Sequence, residues 1–418
     1  MAQAVLALNA GSSSIKFALA QIGEAASLHR AINGEIEGIG TRAHMIARSS
    51  KAEILAERRW PTRNQPTYEA LLDTLLNWIE THMGKNSLAA VGHRVVHGGS
   101  RFTAPVRVTP LVLDALAGLS PLAPLHQPHN LAPIHAISAM RPDLPQIACF
   151  DTAFHHTQPA IATRFALPRA YEAEGVRRYG FHGLSYEYIS RRLKKTNPAF
   201  AHSRLIVAHL GNGASLCAMK DGRSIDTTMG FTALDGLMMG TRCGTIDAGV
   251  LLYMQQQKAM TVQQVEHVLY NASGLLGVSG LSSDMRILLA STDSRAKDAI
   301  DLFVYRIARE SAALAGSLGG LDGFVFTAGI GEHAVAIRAA VCARLRWLGV
   351  HLNPEANLRG ATHISAPNSP VEVHIIPTDE EAMIHHHTLE NMKSQDVSYT
   401  HDAPSEVVRT FTSTGDRS

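Results

Sequence analysis

Cysteine is scarce and scattered in this 418-residue chain: Cys149, Cys217, Cys243 and Cys342 are the only four, and no two form a C-x-x-C pair. That spacing argues against a cysteine zinc site or a disulfide framework and for a reduced compartment. An excess of either charge is missing too, with Lys+Arg 38 against Asp+Glu 36 and a formal net charge of +2. Without a lysine- or arginine-rich block, a nucleic-acid groove or an anionic membrane surface is not expected as a partner. No stretch approaches the roughly 20 apolar residues of a membrane span. The opening apolar run Ala4–Leu8 stops at Asn9 and has no cation before it, which is too short for a secretory signal. The expectation is a cytoplasmic protein with a small-molecule partner.

What is present is ordinary globular composition, 45% hydrophobic, over a length that at roughly 150 residues per domain suggests two or three domains. The opening reads as a hairpin: strand Val5–Leu8, a small-residue turn Asn9–Ser14, strand Ile15–Ala20. A second such unit spans Leu205–Leu210, Gly211–Ser215 and Leu216–Met219, and 202 residues separate Gly11 from Gly213. Two copies of one fold with diverged sequences are expected. Leu71, Leu72, Leu75, Leu76 and Ile79 recur at helical spacing over Tyr68–Met83, with Gly84 as a stop. Ile300–Leu318 has the same character, then Phe324–Thr327 reads as a buried strand and Val335–Leu348 as a helix. Strands and helices alternate, so the class is α/β. From Asn391 the chain turns polar and aperiodic, which predicts a loosely held tail.

The turn Asn9-Ala-Gly-Ser-Ser-Ser-Ile-Lys16 can converge backbone N–H groups and a lysine on phosphate oxygens; a solvated turn using Gly and Ser for backbone freedom is the plainer alternative. The second turn, His209-Leu-Gly-Asn-Gly-Ala-Ser215, favours the phosphate reading, since two such turns could face one polyphosphate across a cleft. Neither fits G-x-x-x-x-G-K-[ST], so no P-loop is expected. Gly329-Ile-Gly-Glu-His-Ala334 satisfies G-x-G-x-x-A, but the acidic residue a nicotinamide-binding site needs about 20 positions on is missing around Val350–Asn353. Arg94, Asp151 and Arg242 sit in apolar or glycine-rich surroundings, where charges need partners. Together with nearby histidines they suggest an anion-handling site, against structural ion pairs. His93 and His97 are not read as helical zinc ligands, because Val95–Val96 and Gly98–Gly99 disfavour a helix. His385–His387 reads as an exposed polar face.

The segments LNAGSSSIKF, GHRVVHGG, APLHQPHNL, CFDTAFH, RYGFHGLS, HLGNGAS, DTTMGFTALDGLMMGTRCG, SGLLGVSG with SSDMR, FTAGIGEH and IPTDEEAMI together closely resemble the acetate kinase family, within the superfamily of actin, hexokinase and the heat-shock chaperone ATPases. The resemblance covers residues 3–390. It implies duplicated actin-like (ribonuclease H-like) α/β domains with an interdomain active-site cleft: an N-terminal domain over 1–151 joined by a C-terminal helix at about 382–392, a nucleotide-binding domain over 152–381, and a polar tail over 393–418. The implied reaction is reversible phosphoryl transfer from ATP to acetate, giving ADP and acetyl phosphate, with Mg²⁺ or in its place Mn²⁺, in a homodimer. The resemblance gives Asp151, His182 and Arg242 catalytic roles. It assigns Arg94 to the substrate carboxylate and Val96, Leu125 and Ala233 to the acyl methyl pocket. Nucleotide contacts fall to Ser14, Lys16, His209, Leu210, Gly211, Asn212, Gly213, Asp284, Met285, Arg286, Gly329, Ile330, Gly331, Glu332 and His333. Asn9 and Glu380 would hold the metal.

Three positions depart from the family pattern. His333 stands where Asn is common, in the nucleotide pocket. Ala233 replaces a frequent Pro, which implies a roomier methyl pocket and some propionate activity, since a methylene is worth only about 1–3 kcal/mol in such pockets. Asp379 replaces a frequent Asn beside Glu380 and adds negative charge near the expected metal site. The competing readings are a propionate kinase with broader acyl specificity, a non-catalytic nucleotide-gated binding module on the same fold, and, further off, a nicotinamide dehydrogenase.

Overall fold

A computed structural model describes residues 3–393 apart from 12, 25–26, 62, 64, 84–86 and 125. Eight strands form the first sheet: β1 (Gln3–Ala10), β2 (Ser14–Ile22), β3 (Leu28–Glu37), β4 (His44–Ser49), β5 (Ile54–Arg59), β6 (Ser87–Val95), β7 (Val106–Arg107) and β8 (Gln146–Phe150). Five form the second: β9 (Leu205–Leu210), β10 (Ala214–Lys220), β11 (Arg223–Thr227), β12 (Gly323–Thr327) and β13 (Glu372–Ile375). The helices that matter for the site are α1 (Tyr68–Met83), α2 (Gln127–Met140), α3 (Gly183–Thr196), α4 (Ser294–Leu318), α5 (Ala328–His333), α6 (Val335–Arg344) and α7 (Glu380–Lys393).

The expected repeat is present as topology. In the first sheet β3, β2, β1, β6 and β8 lie side by side, and in the second β11, β10, β9, β12 and β13 follow the same order. In both, the first three strands are antiparallel and the last two run parallel to the central one. Both Gly/Ser turns therefore sit at equivalent hairpin tips, β1–β2 and β9–β10, at the carboxyl end of a central strand. That end is where open α/β sheets collect ligands. The duplicated α/β class expected from the sequence is borne out.

The central strands are covered on both faces, which is why their sequences read as continuous apolar runs. Leu71, Leu72, Leu75, Leu76 and Ile79 of α1 are buried against Leu6, Leu8 and Phe17, each worth about 1.5–3 kcal/mol of burial. On the second sheet α4 plays the same part, with Phe303, Ile307 and Leu314 in the core. It begins six residues earlier than the apolar periodicity suggests, because Asp293 caps it by accepting from Arg295 N. It ends at Gly319, whose φ of 70° is the left-handed stop. The helix read over Val335–Leu348 is α6 to Arg344 followed by a short 3₁₀ turn.

The chain returns to the first sheet in α7, which packs on β1, β6 and β8. Met383 and Ile384 join Ala7, Ala90, Ile147 and Leu184 in one apolar cluster. The reading of His385–His387 as an exposed polar face is corrected: His385 is 2% exposed and its Nε2 lies 2.9 Å from Ala18 O, while His387 Nε2 meets Glu187 Oε2 of α3 at 2.8 Å. A buried ring with a backbone partner stays satisfied in the core. The helix also runs through Lys393, past the expected start of the polar tail, whose remainder lies outside the described residues. The Gly84 stop lies outside them as well. No described helix is long and apolar enough to cross a membrane.

Docking of α7 depends on Gly92 in β6, where an added Cβ would stand 2.1 Å from Thr388 Oγ1 and 2.5 Å from Ile384 Cγ2. Gly92→Val should push α7 off the sheet and lower unfolding free energy by about 1–3 kcal/mol in denaturant titration. An unchanged midpoint would mean that α7 does not need this close approach.

Candidate active site

Arg94 is placed by the end of β6 and Asp151 by the end of its parallel neighbour β8. Asp151 is 1% exposed and takes Arg94 in a two-point grip, with Nε at 2.9 Å from Oδ1 and Nη2 at 2.5 Å from Oδ2. The third guanidinium nitrogen, Nη1, donates to Asn9 Oδ1 at 3.1 Å, and Glu380 lies 3.9 Å from Nε. Burial works against the Arg94 cation, but Asp151 and Glu380 outweigh it and hold its pKa above the ordinary arginine value. Glu380 shows the converse. Burial first, then the neighbouring Asp151 and Glu381 carboxylates, push it up to about 7 against the pull of Arg94 and Lys16.

The same Asp151 connects to His182. Its backbone O accepts from Gly183 N at 2.9 Å, and a Cβ on Gly183 would stand 2.1 Å from that oxygen. Only glycine lets α3 start there. His182, the residue before, is held at φ 58°, a left-handed conformation that costs a non-glycine residue about 1–3 kcal/mol and is kept where surroundings over-determine it. Its ring stacks on His209 at 4.1 Å, and its Nδ1 lies 2.8 Å from Ser215 Oγ, which Tyr186 Oη approaches at 2.5 Å. Burial, then His209, Arg94 and Arg242, lower the His182 pKa well below the ordinary value, so the ring is neutral near pH 7. A neutral ring has one N–H; with Ser215 Oγ donating to Nδ1, that N–H stands on Nε2, and with Nδ1 donating to Ser215 it does not. His182 Nε2 lies 3.2 Å from where a Gly213 Cβ would stand, and Arg242 Nη2 lies 4.0 Å from that point. The imidazole Nε2 and a guanidinium thus converge on the bare backbone of the second hairpin tip.

Arg242 is set differently from Arg94. Its Nη1 donates to Ala233 O at 2.9 Å and approaches Met239 Sδ at 3.7 Å. Among the described residues no carboxylate pairs with it. Burial lowers its pKa. Its loop is fixed by backbone: Met239 N to Arg242 O, Leu275 N to Met239 O, and Gly240 N to Asn212 O, the last at 2.9 Å. A cation held rigidly in a partly buried place with no anion is a binding element in waiting.

A cavity of about 560 Å³ opens between the two sheets. Asn9, Ser14, Lys16, Arg94 and Val96 line it from the first half, Asn212 and Arg242 from the second. A neighbouring cavity of about 590 Å³ is lined by Gly211, Asn212, Asp284, Met285, Arg286, Gly329, Ile330 and His333. Asn212 borders both, so a ligand could run from one into the other. Hydrogen bonds from Arg286 pull Asp284 down to about 2.

Other expected residues take supporting places. His209 is buried, with burial and Arg94 lowering it to about 3, and its Nδ1 lies 2.8 Å from Ser185 Oγ. Leu210 is core. Gly331 O and Glu332 O accept from Arg338 Nη1, and Glu332 Oε1 accepts from Thr378 N at 3.2 Å. Ala233 reaches the site through its carbonyl, its side chain packing on the second core. Asp379 is salt-bridged to Arg30 and caps α7 at Ala382 N, so its charge is matched outside the cavity. His333 stands on the rim with its side chain 80% exposed. Leu125 lies outside the described residues.

Residues that the sequence reading did not single out also contribute. His126, His129, Asn130, Thr241, Tyr270 and Asn271 line the first cavity, and Asn130 ties Val96 N at 2.8 Å to Ala10 O at 2.6 Å. The HQPHN run carried that signal. Arg338, 1% exposed, braces the α5 turn with a hydrogen bond to Asn357 as well. In sequence it is one charged position inside the helix expected over Val335–Leu348.

Residues 4–386 match the model of the Acetokinase family. The chain belongs to that family. Among its relatives, an acetate kinase of Rhodopseudomonas palustris (strain ATCC BAA-98 / CGA009) is 55% identical over 391 residues, 93% of this chain and 98% of that one. A crystal structure of a propionate kinase from Francisella tularensis subsp. tularensis SCHU S4 superposes with a TM-score of 0.85 at 36% identity, covering 93% and 99% of the two chains. An acetate kinase from Porphyromonas gingivalis does so with 0.83 at 35%, covering 93% and 100%. An acetokinase must bring two anions together, and this cavity is walled by fixed donors.

The neutral Nε2–H form of His182 depends on Ser215. Ser215→Ala should lower kcat roughly tenfold with little change in the KM for nucleotide, in line with the loss of a group that orients a working imidazole. The ¹⁵N shifts of the His182 ring should move toward a mixture of tautomers. Unchanged shifts would dissociate the hydroxyl from the ring.

Proposed function

We propose that the chain catalyses reversible, in-line transfer of the terminal phosphoryl group of ATP to acetate, giving ADP and acetyl phosphate. The observation that carries this reading is Arg242: a rigid, carboxylate-free guanidinium converging with the His182 Nε2 beside the Gly211–Gly213 turn, across the cavity from Arg94 and Lys16. The curated relatives named acetate kinase support the acyl acceptor.

Two unit charges about 4 Å apart repel by roughly 4 kcal/mol at an effective dielectric of about 20. A carboxylate approaching a polyphosphate meets that repulsion, and fixed cations offset it. In this reading the nucleotide base and ribose occupy the cavity bounded by Asp284–Arg286 and Gly329–His333. Its phosphates pass Asn212 toward the Asn9–Lys16 turn. Acetate lies against Val96 with its carboxylate toward Arg94. As charge spreads over the equatorial oxygens of the migrating group, Arg242 and the neutral His182 N–H meet it with donors that need no rearrangement. The acceptor is ionised at neutral pH and needs no base. Asp151 then serves by aiming Arg94 and by anchoring the start of α3.

Asn9 Oδ1 and the Glu380 carboxylate both flank Arg94. They are hard oxygen donors, and burial, with the neighbouring Asp151 and Glu381 carboxylates, raises Glu380, so the residues fit Mg²⁺. Asn9 and Glu380 would hold the ion, whose chemistry when bound would be added positive charge to offset the negative charge of the phosphate groups. The reading also carries a domain division at 1–151 with the 382–392 helix, against 152–381, whose closure would exclude water. A cytoplasmic homodimer belongs to it too. The helix Ala248–Gln256 buries none of its residues, while Leu252 and Tyr253 are more than half exposed, which supports a partner surface there.

Propionate is the second reading, favoured by the propionate kinase named among the structural relatives; the Ala233 side chain packs on the core and does not bear on this reading. A hydroxamate assay of acyl phosphate with ATP and Mg²⁺ should give the highest kcat/KM for acetate, measurable turnover of propionate and less of butyrate. Arg242→Ala should cut kcat by about 10³ while the unfolding midpoint stays the same or rises, because an unpaired, partly buried charge is removed. No acetate-dependent product from the parent chain, or an Arg242→Ala variant within tenfold of it, would refute the reading.

A further inference from the structure

Away from the cleft, three side chains with metal-binding atoms stand together on the edge of the second sheet. His363 pairs with His374 of β13 across an isolated antiparallel bridge, so the two rings project from the same face and stack at 4.9 Å with 23° between planes. Glu372 is two residues before His374 in the same strand, which puts it on that face as well. Its Oε2 lies 2.8 Å from His374 Nε2. One donor atom from each of the three residues falls within 4.8 Å of the other two. Ser365, two residues after His363, holds the His363 ring by an Oγ–Nε2 contact of 2.5 Å.

We infer that His363, Glu372 and His374 form a binding site for a borderline transition-metal ion such as Zn²⁺, separate from the active-site cleft. Two imidazoles and one carboxylate suit Zn²⁺, whereas Mg²⁺ prefers oxygen donors and waters. Zinc bonds of about 2.0–2.2 Å in a tetrahedral arrangement set donors about 3.3–3.6 Å apart, a spacing that donors within 4.8 Å of one another approach by side-chain rotation, with the 2.8 Å Glu372–His374 pair opening. His374 is 9% exposed and wedged beside the Phe200 ring at 4.6 Å, giving a fixed anchor. His363 and Glu372 face solvent, giving the ion a way in. Water would complete the fourth position. The ion would fasten the segment 362–365 to β13, the strand that leads through Ile376 to Glu380 and α7. This site rests on its own geometry and stands apart from the reading of the cleft.

The test uses the full chain stripped with chelator, without nucleotide. Zn²⁺ should bind at one equivalent per chain and raise the unfolding midpoint, and Co²⁺ in its place should show the intense visible d–d bands of a four-coordinate site. His363→Ala, at an exposed position, should abolish the bands. Glu372→Gln should weaken binding at least about tenfold, and Glu380→Gln should leave it intact. Acetyl phosphate formation with Mg²⁺ should be unchanged in His363→Ala. Octahedral Co²⁺ spectra, binding that survives both His363→Ala and Glu372→Gln, or binding lost in Glu380→Gln would overturn the proposal. Loss of acetate-dependent turnover in the parent chain would count against the cleft reading and leave the metal result standing.

Discussion

The molecule is organised around an unequal treatment of two arginines. Arg94 is neutralised by Asp151 in a two-point ion pair, while Arg242 has a carbonyl and a thioether and, among the described residues, no carboxylate. The first pair sets geometry: it ties the ends of β6 and β8 together, and through the Gly183 N–H it fixes where α3 begins. The second cation leaves positive charge facing an empty space. A protein that only needed stability would pair or remove such a group, because an unpaired charge out of water is costly.

The duplicated topology explains how that space is built. Each sheet ends in a Gly-containing hairpin at the same place, and the two tips face one another with Lys16 on one side and Gly213 on the other. Glycine at 213 lets His182 and Arg242 approach the backbone within a few ångströms. Glycine at 183 lets Asp151 seat the helix behind them. Neutral histidines add hydrogen-bond donors without adding charge, because burial holds His182 and His209 well below their ordinary titration range. Fixed charge therefore comes from Arg242 and Lys16, Arg94 adds oriented donors, and the His182 ring is held by the Tyr186–Ser215 contacts.

Much of this was legible in the residues. Tyr68–Met83 announces itself because five apolar side chains recur on one face. The half-chain repeat shows because two tight hairpin tips at equivalent strand ends are both rich in Gly, Ser and Asn. The misses have physical causes. The first turns of α4 offer the core only the small Ala296 and Ala299 among charged neighbours, so the apolar periodicity starts late. His385 sits among polar neighbours in sequence, and nothing local tells that Ala18 O will cap its ring inside the core. Ser215 and Tyr186 look like interior strand and helix positions, since a hydroxyl that serves a histidine is distinguishable only by its partner. Asp379 seemed to load the metal end with charge, yet Arg30, 349 positions away in sequence, cancels it. His363 and His374 are close in sequence, but the isolated bridge that pairs them joins an irregular segment to β13 and could not be read from spacing.

The central claim is that fixed cations and the His182 N–H meet the charge of a phosphoryl group in flight. It is tested most directly by a crystal structure with ADP, Mg²⁺, acetate and a planar phosphoryl mimic bound together. The account predicts Arg242 and His182 Nε2 within hydrogen-bond distance of the equatorial positions of the mimic, with Arg94 still on Asp151 and facing the acetate carboxylate. Guanidinium groups at 94 and 242 both turned away from the mimic would contradict it.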